Sequence, residues 1–384
     1  MTYDFSTPVD RRRTGSLKWD RHQGREALPF WVADMDFRSA PEIVAALQAR
    51  LDHGVFGYTI PYAEVEDAVL DYLRDRHQVR AEREWIVWLP GLVQGLNLAC
   101  RAWPGTTLIQ TPVYPPFRTA PLHAGNTRLE VPLVPGETRW EIDFDALQAA
   151  VTPETRLFML CHPHNPVGRV FRRTELERLA EFCLRNDLVL CSDEIHCDLL
   201  LEDTPHVAAL TLGEDIARRT LAFYSASKTY NLPGLACAYA VIPDPALRAT
   251  FQRALRGLVT EVNCFGYAGT AAAYRHGAPW RQALLGVLRE NRDALYSFAR
   301  SQLPGLELKW MEATYLAWFD ARSLGLVQPT EFFLKAGVAL SDGADFGFPG
   351  FVRFNFGCPR TQLDEGLERM RRALEHLPDA PPSA

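Results

Sequence analysis

Short apolar runs alternate along much of the chain with segments whose hydrophobic positions recur at helical spacing. Trp85–Leu89, Thr107–Gln110, Arg156–Cys161, Leu188–Cys191 and Thr220–Tyr224 are such runs, and their length suits strands. Between them, Thr174–Asn186 carries Leu176, Leu179, Phe182 and Cys183 at i, i+3, i+6 and i+7, one apolar stripe for a helix to turn toward a sheet. The alternation predicts βαβ units and an α/β fold with a mostly parallel sheet. After about residue 275 the texture changes. A long helical segment (Trp280–Gln302), strand-like runs (Leu306–Trp310, Tyr315–Phe319, Phe351–Phe356) and a closing helix (Gln362–His376) predict a smaller α+β domain. The first forty or so residues match no unit of the central sheet and are assigned to that smaller domain. The expected division is residues 45–275 for the large domain and 1–44 with 276–384 for the small one. The tail Pro378–Ala384 is expected to fray.

Composition narrows the class. With 384 residues, 47% hydrophobic and 23% charged, the chain can bury a sizeable core and is neither disordered nor fibrous. The net charge of −6 (41 − 47) argues against polyanion binding through a basic surface, so no nucleic-acid partner is expected. Arg11-Arg12-Arg13 reads as a solvated or dimer-facing turn. No uncharged apolar run reaches about 18 residues and no leader pattern opens the chain, so the expectation is a cytoplasmic protein with no membrane partner. The eight cysteines never form a C-x-x-C pair and read as buried, reduced thiols. G-x-x-x-x-G-K-[ST], G-x-G-x-x-G and G-x-S-x-G are absent, and no HExxH accompanies His162 and His164, so nucleotide, serine-hydrolase and metal readings lack a motif.

Ligands of open parallel sheets bind beyond the carboxyl ends of the strands, and there the sequence is rich in chemistry. The runs lead in turn into Pro90-Gly91-Leu92-Val93-Gln94-Gly95, Thr111-Pro112-Val113-Tyr114, His162-Pro163-His164-Asn165-Pro166-Val167-Gly168, Ser192-Asp193-Glu194-Ile195-His196 and Ser225-Ala226-Ser227-Lys228-Thr229. These supply an aromatic ring, an amide, a carboxylate, an imidazole, hydroxyls, a lysine and a candidate helix N-terminus. The set suits pyridoxal phosphate. A lysine amine condenses with the aldehyde, a carboxylate keeps the pyridine nitrogen protonated, and a helix N-terminus with hydroxyls receives the phosphate. Arg353, in an apolar strand, is costly to bury without an anion. Asp34 and Asp36 read as anchors for the N-terminal segment over the pocket mouth.

Asp10–Asp20 (DRRRTGSLKWD), Leu28–Phe37 (LPFWVADMDF), His53–Thr59 (HGVFGYT), Ser192–Leu199 (SDEIHCDL), Ser225–Leu235 (SASKTYNLPGL) and Val352–Arg360 (VRFNFGCPR) form an ordered set over nearly the whole chain. The set resembles fold-type I pyridoxal-phosphate enzymes of the class I/II aminotransferase superfamily, in their cystathionine β-lyase (C–S lyase) branch related to MalY and PatB. The resemblance implies a seven-stranded, mostly parallel sheet flanked by helices, plus a small α+β domain. It also implies pyridoxal 5'-phosphate as cofactor, with Lys228 as the lysine that joins it and takes the substrate Cα proton. Asp193 matches the partner of the pyridine nitrogen, and Tyr114 the ring that stacks on the cofactor. Asn165 and His196 fall near its phenolic oxygen, and the amides of Leu92 and Val93 with Ser225 and Ser227 form the phosphate cup. Arg353, with Asn165 and Ala33, matches the substrate-carboxylate site. Tyr58 matches a tyrosine that reaches the neighbouring subunit's phosphate, which implies a homodimer. Two positions depart from the family pattern: His162 replaces an asparagine, and Pro90 stands where a serine is usual near Gly91.

The implied activity is cleavage of cystathionine or a related cysteine S-conjugate to a thiol, pyruvate and ammonia. An aminotransferase would use the same Lys228, Asp193 and Arg353, and a cofactor-binding regulatory protein is a second alternative. The thiol side of the substrate is expected to meet small-domain loops such as Gly343–Gly350.

Overall fold

The computed structural model describes residues 3–22 and 24–377, so the tail expected to fray lies outside the described residues. Its centre is a seven-stranded sheet of β1 (Ile86–Leu89), β2 (Thr106–Thr111), β3 (Thr127–Pro132), β4 (Thr155–Cys161), β5 (Val189–Asp193), β6 (Thr220–Tyr224) and β7 (Ala238–Val241). The spatial order is β1-β7-β6-β5-β4-β2-β3. All neighbours run parallel except β7, which is antiparallel to both β1 and β6.

Successive side chains of a strand face opposite sides of a sheet, and both sides of this one are covered. Leu157, Met159, Cys161, Val189 and Cys191 join one core, while Phe158, Leu160 and Leu190 join the other. Double coverage is why these strands read as continuous apolar runs rather than alternating ones. The helix Leu92–Ala102 packs on the first face, where a Cβ at Gly95 would lie 2.8 Å from the Phe223 ring. Glycine there is what brings the helix against the sheet. The expected helical stripe at 174–186 appears as the helix Arg173–Arg185, with Leu176, Leu179, Phe182 and Cys183 buried.

Beyond the central sheet stands a four-stranded antiparallel one, built from β8 (Glu307–Leu308), β9 (Leu316–Asp320), β10 (Ser341–Asp342) and β11 (Phe351–Asn355). The helices Ala278–Gln302 and Arg360–Glu375 accompany it. Phe5, Phe30, Met35 and Phe37 share one core with Leu284, Leu288, Phe319, Phe354 and Leu363, so the N-terminal segment packs with the C-terminal part of the chain.

Three local expectations are corrected. Trp85 belongs to a 3-10 turn (Arg83–Trp85) rather than to β1. The strand expected at Leu306–Trp310 shrinks to Glu307–Leu308. Trp310 leaves it because its indole donates to Glu202 at 2.8 Å and lies 4.0 Å beneath the Arg292 guanidinium. Arg11 is not a solvated turn residue: it bonds Asp34 and Asp36 at 2.8 and 2.7 Å. Among the described residues no helix is long and apolar enough to cross a membrane, and all eight cysteines are buried and unpaired.

Candidate active site

At the carboxyl ends of β1, β4, β5 and β6 lies a cavity of about 340 Å³. Its lining includes Leu92, Val93, Tyr114, Asn165, Asp193, His196, Ser227, Lys228 and Ala33, candidate residues drawn from six separate segments of the sequence. Asp193 is the last residue of β5. Its neighbour Glu194 turns to the other side, where it accepts from Ser192 Oγ at 3.0 Å and Tyr224 OH at 2.8 Å and pairs with His206 at 2.7 Å. The strand's period of two therefore decides which of the two carboxylates meets the cavity.

Burial pushes the Asp193 carboxyl up to about 7, against the Ile195 amide and the Lys228 amine, which act in the opposite sense. Burial also lowers Lys228 to about 8; Asp34 and Asp193 pull it up, and Arg353 pushes it further down. Lys228 Nζ donates to the Ala33 carbonyl at 2.7 Å. His196 is held neutral: burial, Lys228 and Arg353 lower it to about 3, and its Nδ1 has no partner.

Arg353 is 4% exposed. Its hydrogen bonds among the described residues go to neutral oxygens: Asn165 Oδ1 at 3.1 Å, the Trp31 carbonyl at 2.6 Å and Ser341 Oγ at 3.2 Å. Its Nε is buried without a partner, and burial lowers its pKa to about 10. A buried guanidinium whose charge no carboxylate balances is costly, so the arrangement suits an anionic ligand. Asn165 spends its side-chain oxygen on Arg353 and also lines the cavity.

The helix Leu92–Ala102 points its N-terminus at the other end of the cavity, with no side-chain cap at Gly91. The amides of Leu92 and Val93 thus lie at an uncapped helix start, a ready place for a phosphate. Ser227 lines the cavity, but Ser225 does not. The Ser225 hydroxyl donates to the Cys237 carbonyl at 2.7 Å and accepts from the Ser227 amide at 3.1 Å, with Ser227 Oγ at 2.6 Å. Ser225 thus stands directly behind Ser227. Tyr58 is fully exposed and makes no part of its own chain's cavity. His162 is also away from it, stacked on His206 at 4.6 Å, and His164 Nε2 sits 2.6 Å from the Pro112 carbonyl.

An outer chamber of about 460 Å³ adjoins the cavity and shares Ala33, Tyr114 and Lys228 with it. Asp345 and Phe346 come from the loop expected to meet the thiol side, but Leu17, Arg21, His22 and Trp31 also form its wall. Sequence reasoning placed the N-terminal segment over the mouth without naming these four residues, and it missed Tyr315, whose hydroxyl donates to the Ala33 carbonyl at 2.9 Å. The expected anchors are in place. Asp36 accepts from Lys18 at 2.8 Å and Trp19 Nε1 at 2.8 Å, and Asn231, at φ +57°, clasps Met35 and Phe37 with both ends of its amide.

A lysine amine, a strand-end carboxylate, an aromatic ring and an uncapped helix start around one cavity suit pyridoxal phosphate, and with this sheet they define a fold-type I enzyme of that cofactor class. The family profile "Aminotransferase class I and II" matches residues 28–370. The chain belongs to that family, in the branch that holds the cystathionine β-lyase PatB of Bacillus subtilis (strain 168), to which it is 37% identical over 97% of its own length and 100% of PatB's. Among solved structures, that of OvoB superposes with a TM-score of 0.95 at 43% identity, covering 99% of this chain and 100% of that one. Cystalysin from Treponema denticola, which contains pyridoxal 5'-phosphate, superposes at 0.94 with 32% identity, covering 98% and 100%.

Proposed function

We propose that this protein is a pyridoxal-phosphate-dependent carbon–sulfur β-lyase, cleaving cystathionine or a related cysteine S-conjugate to a thiol, pyruvate and ammonia. The observation that carries the reading is the convergence of Lys228, Asp193 and an anion-seeking Arg353 on adjoining cavities. The likeness to PatB along the whole chain favours elimination over amino transfer. When bound, the cofactor supplies an electron sink that makes the Cα proton acidic and lets the sulfur leave as thiolate.

This chain's residues do the rest. Arg353 grips the α-carboxylate with its planar fork, and Asn165 holds that fork in place. Lys228, depressed to about 8, is partly unprotonated near neutral pH and accepts the Cα proton, help typically worth about 10²–10⁴-fold. Asp193 offers its carboxylate to the pyridine nitrogen, Tyr114 covers the ring, and Leu92, Val93 and Ser227 donate to the phosphate. The outer chamber leaves room for a bulky thiol half beside Arg353.

In the same reading the chain divides into residues 45–275 and 1–44 with 276–384, and two copies associate so that Tyr58 reaches the partner's phosphate site. The buried, unpaired cysteines suit the reducing cytoplasm. Incubation of the holoenzyme with cystathionine tests the activity. Pyruvate and free thiol without any added keto acid are expected; product that appears only when a keto acid is supplied would make the protein an aminotransferase instead.

A further inference from the structure

The Ala33 carbonyl accepts two hydrogen bonds, from Lys228 Nζ at 2.7 Å and from the Tyr315 hydroxyl at 2.9 Å. Its neighbours along the backbone are held as well. Val32 O and Asp34 O both accept from Asn355 Nδ2, at 2.5 and 2.7 Å, and Met35 O accepts from Asn231 Nδ2 at 2.9 Å. Tyr315 itself is 1% exposed, and burial raises its phenol well above the ordinary value, so it stays a donor at any working pH. The phenol is therefore a permanent second ligand of the carbonyl that faces the lysine.

We infer that Tyr315 is a positioning residue: by donating to the Ala33 carbonyl, it fixes the acceptor that holds the Lys228 ε-amine and leaves that amine's lone pair free for the substrate Cα proton. The inference rests on the reading of Lys228 as the cofactor lysine and base. Two physical effects support it. A fixed acceptor takes one N–H and so sets the rotation of the amine, an orientational gain of the kind that preorganised groups supply. A carbonyl already engaged by a phenol also has less electron density for a second donor, which favours the neutral amine over the ammonium. The charged and titratable groups that face Lys228 are Asp34 from the N-terminal segment, Asp193 from β5, Arg353 from β11 and His196 from the loop after β5. Asp34 and Arg353 also face the Tyr315 phenol, and the variant leaves all four of these side chains in place.

The test uses Tyr315→Phe, which keeps the ring and its packing. Uptake of pyridoxal phosphate by the cofactor-free protein is followed by absorbance from about pH 6 to about pH 10, a range that brackets the lysine's titration. In the parent the uptake midpoint should track Lys228, near 8. In the variant it should rise by about half a pH unit or more, and kcat for pyruvate release should fall about tenfold with KM within about twofold. An unchanged midpoint with unchanged kcat overturns the inference. So does a uniform loss of uptake at every pH together with a lower melting temperature, which would make Tyr315 a packing residue only. If Lys228→Ala takes up the cofactor as the parent does, the underlying reading of Lys228 falls as well, a result separable from the other two.

Discussion

Arg353 Nη1 donates to Asn165 Oδ1 at 3.1 Å across 188 positions of sequence. The contact ties β11 of the four-stranded sheet to the loop after β4 of the central sheet, so the residue that would grip the substrate is braced by one that faces the cofactor cavity. The same guanidinium donates to the Trp31 carbonyl at 2.6 Å, two residues before the carbonyl that holds Lys228. The segment 31–37 thus joins the two groups on which the proposed chemistry depends.

Arg353→Lys should raise KM for a cysteine S-conjugate by about 100-fold, because an ammonium replaces a bidentate fork with a point charge and leaves Asn165 less well held. kcat should fall much less, since Lys228 and Asp193 are untouched. Steady-state kinetics separate the two parameters. A fall confined to kcat would place Arg353 outside the carboxylate site.

Asp193 links activity to stability. Burial raises its carboxyl from 3.8 to about 7, so between those pH values the native cofactor-free protein binds more protons than the unfolded chain. Its stability must therefore fall as pH rises through that window, and the full cost is present above it. Asp193→Asn removes the cost. The cofactor-free variant should melt several degrees above the parent at about pH 8 and at nearly the same temperature at about pH 4, while turnover of the holoenzyme drops at least about 100-fold. An equal gain at both pH values would separate the effect from ionisation.

Lys18 and Asp36 are both almost fully buried and 2.8 Å apart. Burial raises the Asp36 carboxyl, and Lys18, Trp19 and Arg11 more than reverse that, holding it below the usual carboxylate value. A depressed carboxyl gives stability that is complete above its unfolded value and is lost as pH falls through the folded one. Asp36→Asn, which leaves the buried Lys18 ammonium only the longer pairing with Asp34 at 3.7 Å, should cost about 3 kcal/mol at neutral pH and less in acid, where the parent also loses the pair. Urea unfolding at the two pH values reads the difference. A variant as stable as the parent at neutral pH would show that this pair does not pin the N-terminal segment.

The strand ends were legible because a doubly covered parallel sheet writes itself as uninterrupted apolar runs, and the residues directly after each run must lie at one edge. That logic placed Asp193, Asn165 and Lys228 around one cavity. The sequence placed the N-terminal segment over the pocket mouth through Asp34 and Asp36, but not how the segment is held: its carbonyls accept from side chains of Lys228, Asn231, Tyr315, Arg353 and Asn355. Contacts between residues 195 to 323 positions apart leave no periodic trace. Ser225 shows another limit: its motif was recognised, but the local hydrogen bond from its hydroxyl to the Cys237 carbonyl has no trace in that motif. The shrunken strand near Trp310 has a similar cause, since an indole that finds Glu202 and Arg292 overrides the β preference of the run.

Tyr58 carries the remaining test. Its side chain is fully exposed, in a stretch that also exposes Val55, Phe56 and Ile60, and a row of bare apolar side chains around a tyrosine is what a two-fold contact would cover. If Tyr58 completes the partner's phosphate site, each active site draws Lys228 from one subunit and Tyr58 from the other. Tyr58→Ala and Lys228→Ala homodimers should then both be nearly inactive, yet mixing them under subunit exchange should restore activity. Each hybrid dimer holds one site with both residues intact and one with neither. Random exchange makes about half the dimers hybrids, so recovery should approach about one quarter of the parent's activity. A mixture that stays at the level of the separate variants, while native mass spectrometry shows hybrids present, would place both residues in the same subunit's site or remove Tyr58 from the site altogether.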